Sequence, residues 1–211
     1  MNENKLREDM CLLAKSLYDR GLAHGSTGNI SARCEDGGLL VSPTNSSFGF
    51  LDPANLSRFD KDGNQTDGPK PTKEMSLHTA FYETRGTMTG AVVHLHSHHA
   101  VALSMLPDVD RENMLPPLTP YPIMKLGRVK LLPYFMPGDD AMGQAIRELN
   151  GERSAVVLAN HGPVVAAQDI HSAVFAMEEL EAAARLTLEC RNTNPVMLTE
   201  TQIAALEAFR S

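Results

Sequence analysis

Cysteine is scarce in this chain. The three present, Cys11, Cys34 and Cys190, are far apart, odd in number and never spaced Cys-x-x-Cys, which argues against a disulfide framework and fits free thiols in a reducing compartment. Positive charge is also in short supply: 19 Lys and Arg against 26 Asp and Glu leave a net charge of −7. Phosphate-backbone binding rests on clustered cations, so a nucleic-acid partner is not expected, although a small anion remains compatible with local basic groups. Long hydrophobic runs are missing, none approaching the roughly eighteen residues of a membrane span. The polar, mixed-charge start Met1-Asn2-Glu3-Asn4-Lys5 lacks the apolar stretch of a secretory signal. Neither a Gly-Lys-Ser/Thr phosphate loop nor a dinucleotide-binding glycine fingerprint occurs, and there is no repeat, low-complexity segment or linker. These absences leave a cytoplasmic protein with no membrane partner, folded as a single domain over residues 1–211.

The 42% apolar content is enough for a sizeable core. Leu6, Met10, Leu13 and Leu17 recur at helical intervals and Gly21 supplies a stop, which predicts an amphipathic helix over residues 4–20. Short apolar segments at 29–33 and 39–42 flank Glu35-Asp36-Gly37-Gly38, the composition of a hairpin turn, and a second such turn falls at 60–64. Thr72 is expected to cap a helix reaching Arg85. The continuous apolar runs 91–95 and 155–159 read as central strands covered on both faces. Further helices are expected at 98–105, 139–150 and 169–192, with a strand near 129–132, a Pro-rich excursion over 107–122, and a last helix opened by the capping box Thr199-Glu200-Thr201-Gln202. This order predicts an α/β protein, a three-layer α/β/α sandwich around a mostly antiparallel or mixed sheet.

Chemistry concentrates at two strand ends. In Val93-His94-Leu95-His96-Ser97 the two histidines lie two residues apart and project from one face of a strand, while Leu95 points into the opposite layer. Ala159-Asn160-His161-Gly162-Pro163 ends the second apolar run and offers a third imidazole. Three protein ligands with a position left open are the arrangement of a catalytic metal site, in contrast to the four ligands of a structural one. The fourth ligand or acid/base should be a carboxylate near those strand ends. Glu74, expected in the first turn of its helix, is the best placed, and His78, four residues on along the same face, is a second candidate ligand. Two loops suit a phosphate: Gly25-Ser26-Thr27-Gly28-Asn29 and Ser42-Pro43-Thr44-Asn45, rich in hydroxyls, glycines and free N–H groups. Exposed N–H groups around Thr72 and Lys73 at a helix start add a third anion-binding element.

In order and spacing, Gly28-Asn29-Ile30-Ser31, Ser42-Pro43-Thr44, Pro71-Thr72-Lys73-Glu74 and the two histidine segments resemble the class II aldolase family, the group of fuculose-phosphate aldolases and adducin heads. The resemblance runs from Leu6 to about Cys190. It implies the α/β/α fold, a homotetramer with active sites at subunit interfaces, and a divalent ion on His94, His96 and His161, zinc first with manganese or cobalt as alternatives. It further implies that Glu74 acts as acid/base and as a metal ligand when substrate is absent. Asn29, Ser42, Thr44, Asn45, Thr72 and Lys73 fall in the segments that hold the substrate phosphate, and Tyr121 falls near a catalytic tyrosine lent by the neighbouring subunit.

Departures from the family narrow the reading. Its sugar-phosphate aldolases typically have Ser-Ser before the glutamate and Gly after Ser-Pro-Thr, whereas this chain has Thr72-Lys73 and Asn45; His98 and His99 stand where Pro-Tyr is more common. A cleft with an added cation suits a substrate carrying a second negative charge. The pattern is similar to the branch that decarboxylates 3-oxo-tetronate 4-phosphates, which predicts a carbon-carbon lyase acting on a phosphorylated sugar acid. A class II sugar-phosphate aldolase or 4-epimerase is the second reading. A non-catalytic adducin-like module is the third, disfavoured because all three histidines and the glutamate are present.

Overall fold

The computed structural model describes residues 2–209. Eight strands form one sheet: β1 (Asn29–Arg33), β2 (Leu39–Val41), β3 (Ser57–Phe59), β4 (Gln65–Asp67), β5 (Ala91–His94), β6 (Lys130–Leu132), β7 (Ala155–Leu158) and β8 (Gly162–Ala167). Their order across the sheet is β4-β3-β2-β1-β5-β8-β7-β6, antiparallel throughout except for the parallel β6–β7 pair at one edge. Among the described residues seven α-helices accompany them: α1 (Glu3–Asp19), α2 (Met75–Arg85), α3 (His98–Ser104), α4 (Pro120–Leu126), α5 (Ala141–Arg147), α6 (Ile170–Cys190) and α7 (Glu200–Glu207).

Strand alternation divides the interior into two apolar layers. Ala91, Val93 and Leu95, with Ala155 and Val157, face α1, α3, α4 and α6. Val92, Val156, Leu158, Val164 and Ala166 face α2 and α5. The expected α/β/α sandwich with a mixed, mainly antiparallel sheet is therefore the observed one, and both long apolar runs are buried on both faces. No helix among the described residues is long and apolar enough to cross a membrane. Cys11 and Cys34 are buried free thiols, pushed up to about 11 chiefly by burial.

Three local readings need correction, while the expected 60–64 turn is present. The helix expected to be capped by Thr72 begins at Met75, with Glu74 itself in the N-cap position rather than in the first turn; the Thr72 hydroxyl accepts the Glu74 N–H at 3.2 Å. The segment after His161 runs straight into β8, pairing with both β5 and β7. Its Gly-Pro start hid the strand, yet Pro163 needs no N–H there because it is its carbonyl that bonds, to the Leu95 N–H at 3.1 Å. The Pro-rich excursion ends in the first turn of α4, where Pro120 occupies the helix start that tolerates proline. The 60–64 turn joins β3 and β4, strands of three residues each.

Candidate metal centre

Glu74, His94, His96 and His161 lie together at one end of the sheet. β5 runs toward that end and finishes at His94; β7 finishes there at Leu158, and β8 begins there at Gly162. Asn160 turns the chain between β7 and β8 with a left-handed φ of 58°, and its N–H donates to the Ser104 hydroxyl at 3.0 Å. His161 is thereby set beside His94. Two glycines let the backbones close up: a Cβ on Gly28 would stand 2.9 Å from the His94 carbonyl oxygen, and one on Gly162 would stand 2.1 Å from that of Leu95.

Glu74, His94, His96 and His161 each offer a donor atom, and these atoms all lie within 4.8 Å of one another. Glu74 Oε2 is 3.4 Å from His94 Nε2, Glu74 Oε1 is 3.3 Å from His161 Nε2, and the His161 and His96 Nε2 atoms are 3.2 Å apart. His94 Nδ1 donates to the Pro163 carbonyl at 2.8 Å, which turns the Nε2 lone pair into the cluster. That Nε2 is buried without a hydrogen-bond partner. Burial pushes His94 down to about 3 and His96 to about 4, the first further lowered by its imidazole neighbours and opposed by Glu74. Burial acts to raise the Glu74 carboxyl, but hydrogen bonding and charge from His161, His94 and Asn29 outweigh it and hold the group well below the usual carboxylate range. Three imidazoles and an ionised carboxylate gathered around the unpartnered His94 Nε2 are the donor chemistry of a divalent cation, and the N3O set suits zinc.

The three segments expected to bind an anion also meet at this end. Pro43 and Pro71 form an isolated bridge, flanked by Thr44 N–H to the Lys70 carbonyl at 3.0 Å and Thr72 N–H to the Ser42 carbonyl at 3.2 Å. Ser42 is fully buried and its hydroxyl accepts the Ile30 N–H at 3.0 Å, so it braces β1 against β2. Thr44 is half-buried, Asn45 is exposed with a left-handed φ of 58°, and Lys73 is exposed. Asn29 is buried, and its amide is engaged by Glu74 and His78. Tyr121 does not belong to the cluster: it lies on α4 with its ring 59% exposed.

His78 is not a member of the ligand set. It is fully buried, with Nδ1 2.7 Å from the Ser31 hydroxyl and Nε2 2.6 Å from Asn29 Oδ1. Ser31 and Tyr82, whose oxygens are 2.9 Å apart, complete a buried polar column that motif reading missed. Its signal was periodicity: 74, 78 and 82 are polar at intervals of one helical turn, and 29 and 31 share a strand face. His98 stacks on His24, ring centroids 5.3 Å apart. His99 Nδ1 bonds Glu181 at 2.8 Å, and the same carboxylate accepts the His99 and Ala100 N–H groups at the start of α3.

Residues 8–188 match the family described as Class II Aldolase and Adducin N-terminal domain. The 3-oxo-tetronate 4-phosphate decarboxylase of Escherichia coli K12 is 43% identical over 206 residues, 98% of this chain and 97% of that protein. The L-fuculose phosphate aldolase of the same strain is more distant, 28% identical over 216 residues, 100% of this chain and 97% of its own. Among solved structures, YgbL from Klebsiella pneumoniae, whose description offers aldolase, epimerase and decarboxylase as alternatives, superposes with a TM-score of 0.94 at 41% identity, covering 98% of this chain and 99% of its own.

Proposed function

The chain belongs to the class II aldolase and adducin N-terminal domain family, and from that premise we propose that it is a metal-dependent carboxy-lyase converting a 3-oxo-tetronate 4-phosphate to dihydroxyacetone phosphate and carbon dioxide. One observation carries the choice of reaction within the family: near-full-length identity of 43% to a decarboxylase of that name, against 28% to a fuculose-phosphate aldolase. The convergence of Glu74, His94, His96 and His161 supports an enzyme over a scaffold.

His94, His96 and His161 would hold the ion, zinc before manganese or cobalt, with Glu74 as the fourth donor when substrate is absent. A dication held there would supply Lewis acidity toward the negative charge left on the substrate when carbon dioxide departs. The residues supply the rest. Glu74 would hold the proton that the former C2 must gain, its carboxylate kept in place by Asn29. The Thr44 and Asn45 side chains and the Thr72 hydroxyl would bind the phosphate, the backbone N–H groups of Thr44, Thr72 and Glu74 being already engaged, with Ser42 and Asn29 fixing the loops that carry them. Lys73, a flexible exposed cation beside these loops, would pair with the phosphate or with the leaving carboxylate. Tyr121, exposed on α4, would serve a neighbouring subunit's site in a homotetramer, and the compartment would be the cytoplasm.

The test is a substrate screen: purified protein with one zinc per chain is offered 3-oxo-tetronate 4-phosphates and ketose phosphates. Carbon dioxide and dihydroxyacetone phosphate in equal amounts from the acid are expected. An aldehyde accumulating with dihydroxyacetone phosphate, or interconversion of pentulose phosphate epimers, would replace this reading by the aldolase or the epimerase.

A further inference from the structure

A continuous column of buried polar groups leads from the ligand cluster through the layer between sheet and α2. Glu74 is 8%, Asn29 5%, Ser31 0%, His78 0% and Tyr82 7% exposed. Asn29 Nδ2 donates to Glu74 Oε2 at 2.8 Å, Asn29 Oδ1 faces His78 Nε2 at 2.6 Å, His78 Nδ1 faces Ser31 Oγ at 2.7 Å, and Ser31 Oγ faces Tyr82 Oη at 2.9 Å. At the far end the Arg33 guanidinium lies 4.7 Å from the Tyr82 ring centre.

The direction of every hydrogen in this column is set by its first member. An ionised carboxylate only accepts, so the Asn29 NH2 must face Glu74 and its carbonyl must face His78. That carbonyl also only accepts, so His78 must carry its proton on Nε2. Nδ1 is then an acceptor for the Ser31 hydroxyl, which in turn accepts from Tyr82. Each donor thus has a single acceptor and no link is reversible while Glu74 is ionised. An amide neither gains nor loses a proton near neutrality, so Asn29 interrupts proton transfer along the column while transmitting orientation.

We infer that His78 is a positioning residue for Glu74: as the Nε2–H tautomer it locks the Asn29 amide in the one orientation that aims an N–H at Glu74 Oε2, leaving Oε1 turned to His161. An amide without this lock would still turn its NH2 to the carboxylate but would lose the 2.6 Å bond that fixes its plane, leaving Glu74 Oε2 less firmly held beside the metal ligands. The inference rests on the reading of Glu74 as a metal ligand and acid/base.

Neutron diffraction from crystals of the intact wild-type protein reads the tautomer directly and needs no substrate. Deuterium on Nε2 of His78 and none on Nδ1 is expected; deuterium on Nδ1 would overturn the proposal. His78→Gln, which keeps an N–H directed at Asn29, and His78→Leu, which removes it, supply the functional arm. The leucine variant is expected to lower kcat about 10- to 100-fold at saturating zinc, the range for groups that orient metal-site ligands, and the glutamine variant to recover most of that loss. Equal activity in both variants, whether wild-type or equally impaired, would overturn the proposal; should the leucine variant not fold, a glutamine variant as impaired as His78→Ala would do the same. A wild-type protein that decarboxylates nothing would sink the assigned reaction while leaving the tautomer measurement standing.

Discussion

The Pro163 carbonyl accepts two hydrogen bonds from one neighbouring strand, from the Leu95 N–H at 3.1 Å and from His94 Nδ1 at 2.8 Å. The bond that holds β8 to the end of β5 is thus shared with the bond that chooses the His94 tautomer, so sheet register and ligand geometry are a single feature. A second-sphere backbone carbonyl in this role raises the basicity of the ligating nitrogen.

Removing a donor should empty the centre. His96→Ala leaves His94, His161 and Glu74 in place but opens the side where the His96 and His161 nitrogens face each other at 3.2 Å. Bound zinc, measured by elemental analysis, is expected to fall from about one per chain to near zero after dialysis, with turnover lost in step. Chelator treatment of the wild-type protein should abolish activity and zinc should restore it; full activity in metal-free protein would contradict the metal-dependent mechanism.

Glu74→Gln separates binding from proton transfer. The amide matches the carboxylate in shape, so the variant should retain zinc under saturating conditions while kcat falls about 10²- to 10⁴-fold, the usual contribution of a positioned acid or base. Zinc retention with unchanged kcat would remove Glu74 from the chemistry.

The metal-free protein should be acid-labile with a defined sign. Burial pushes His78 and His94 from 6.5 down to about 3 and His96 from 6.5 to about 4. Below about pH 6.5 the unfolded chain takes up protons that the folded chain refuses, so stability declines on acidification; below about 4.5 Glu74, held low in the fold, adds to the loss. The midpoint of thermal unfolding should therefore fall steadily from pH 7 to pH 4 and change little between pH 7 and 8. A midpoint that rises on acidification would reverse the assignment of neutral buried imidazoles.

Gly162→Ala probes the close approach of β8 to the ligand strand. Its Cβ would stand 2.1 Å from the Leu95 carbonyl oxygen, a backbone atom that cannot swing aside. Overpacking of this kind costs about 1–3 kcal/mol, and for a chain of this size each kcal/mol lowers the unfolding midpoint by about 2–4 °C. Zinc affinity should drop as well, because His96 and His161 flank the displaced carbonyl. An unchanged midpoint would mean the two strands separate more easily than their spacing indicates.

The gathering of three histidines at one sheet end was legible because its signal is local: two histidines on one strand face, and a third after an apolar run of central-strand composition. The layers were legible for the same reason, the continuous apolar runs 91–95 and 155–159 being read correctly as burial on both faces. What escaped depended on partners distant in the chain. Gly162-Pro163 reads as a turn until β5 and β7 are placed on either side of it, and Glu74 reads as a first-turn residue until the Pro43–Pro71 bridge holds the preceding segment extended. His78 offered a ligand's chemistry, but its two nitrogens were already taken by Asn29 and Ser31 from β1. Asn29 carried a predicted phosphate role, and only the fold revealed that its amide is directed at Glu74.

Because all four donors gather at the end of the sheet where β5 and β7 finish, the turns at the other end stand about a strand's length away and carry none of the chemistry. The Glu35–Gly38 turn between β1 and β2 is such a place. A peptide tag or small domain inserted there would project away from the reactive centre, giving a handle for immobilising or labelling the protein with its ligand cage undisturbed.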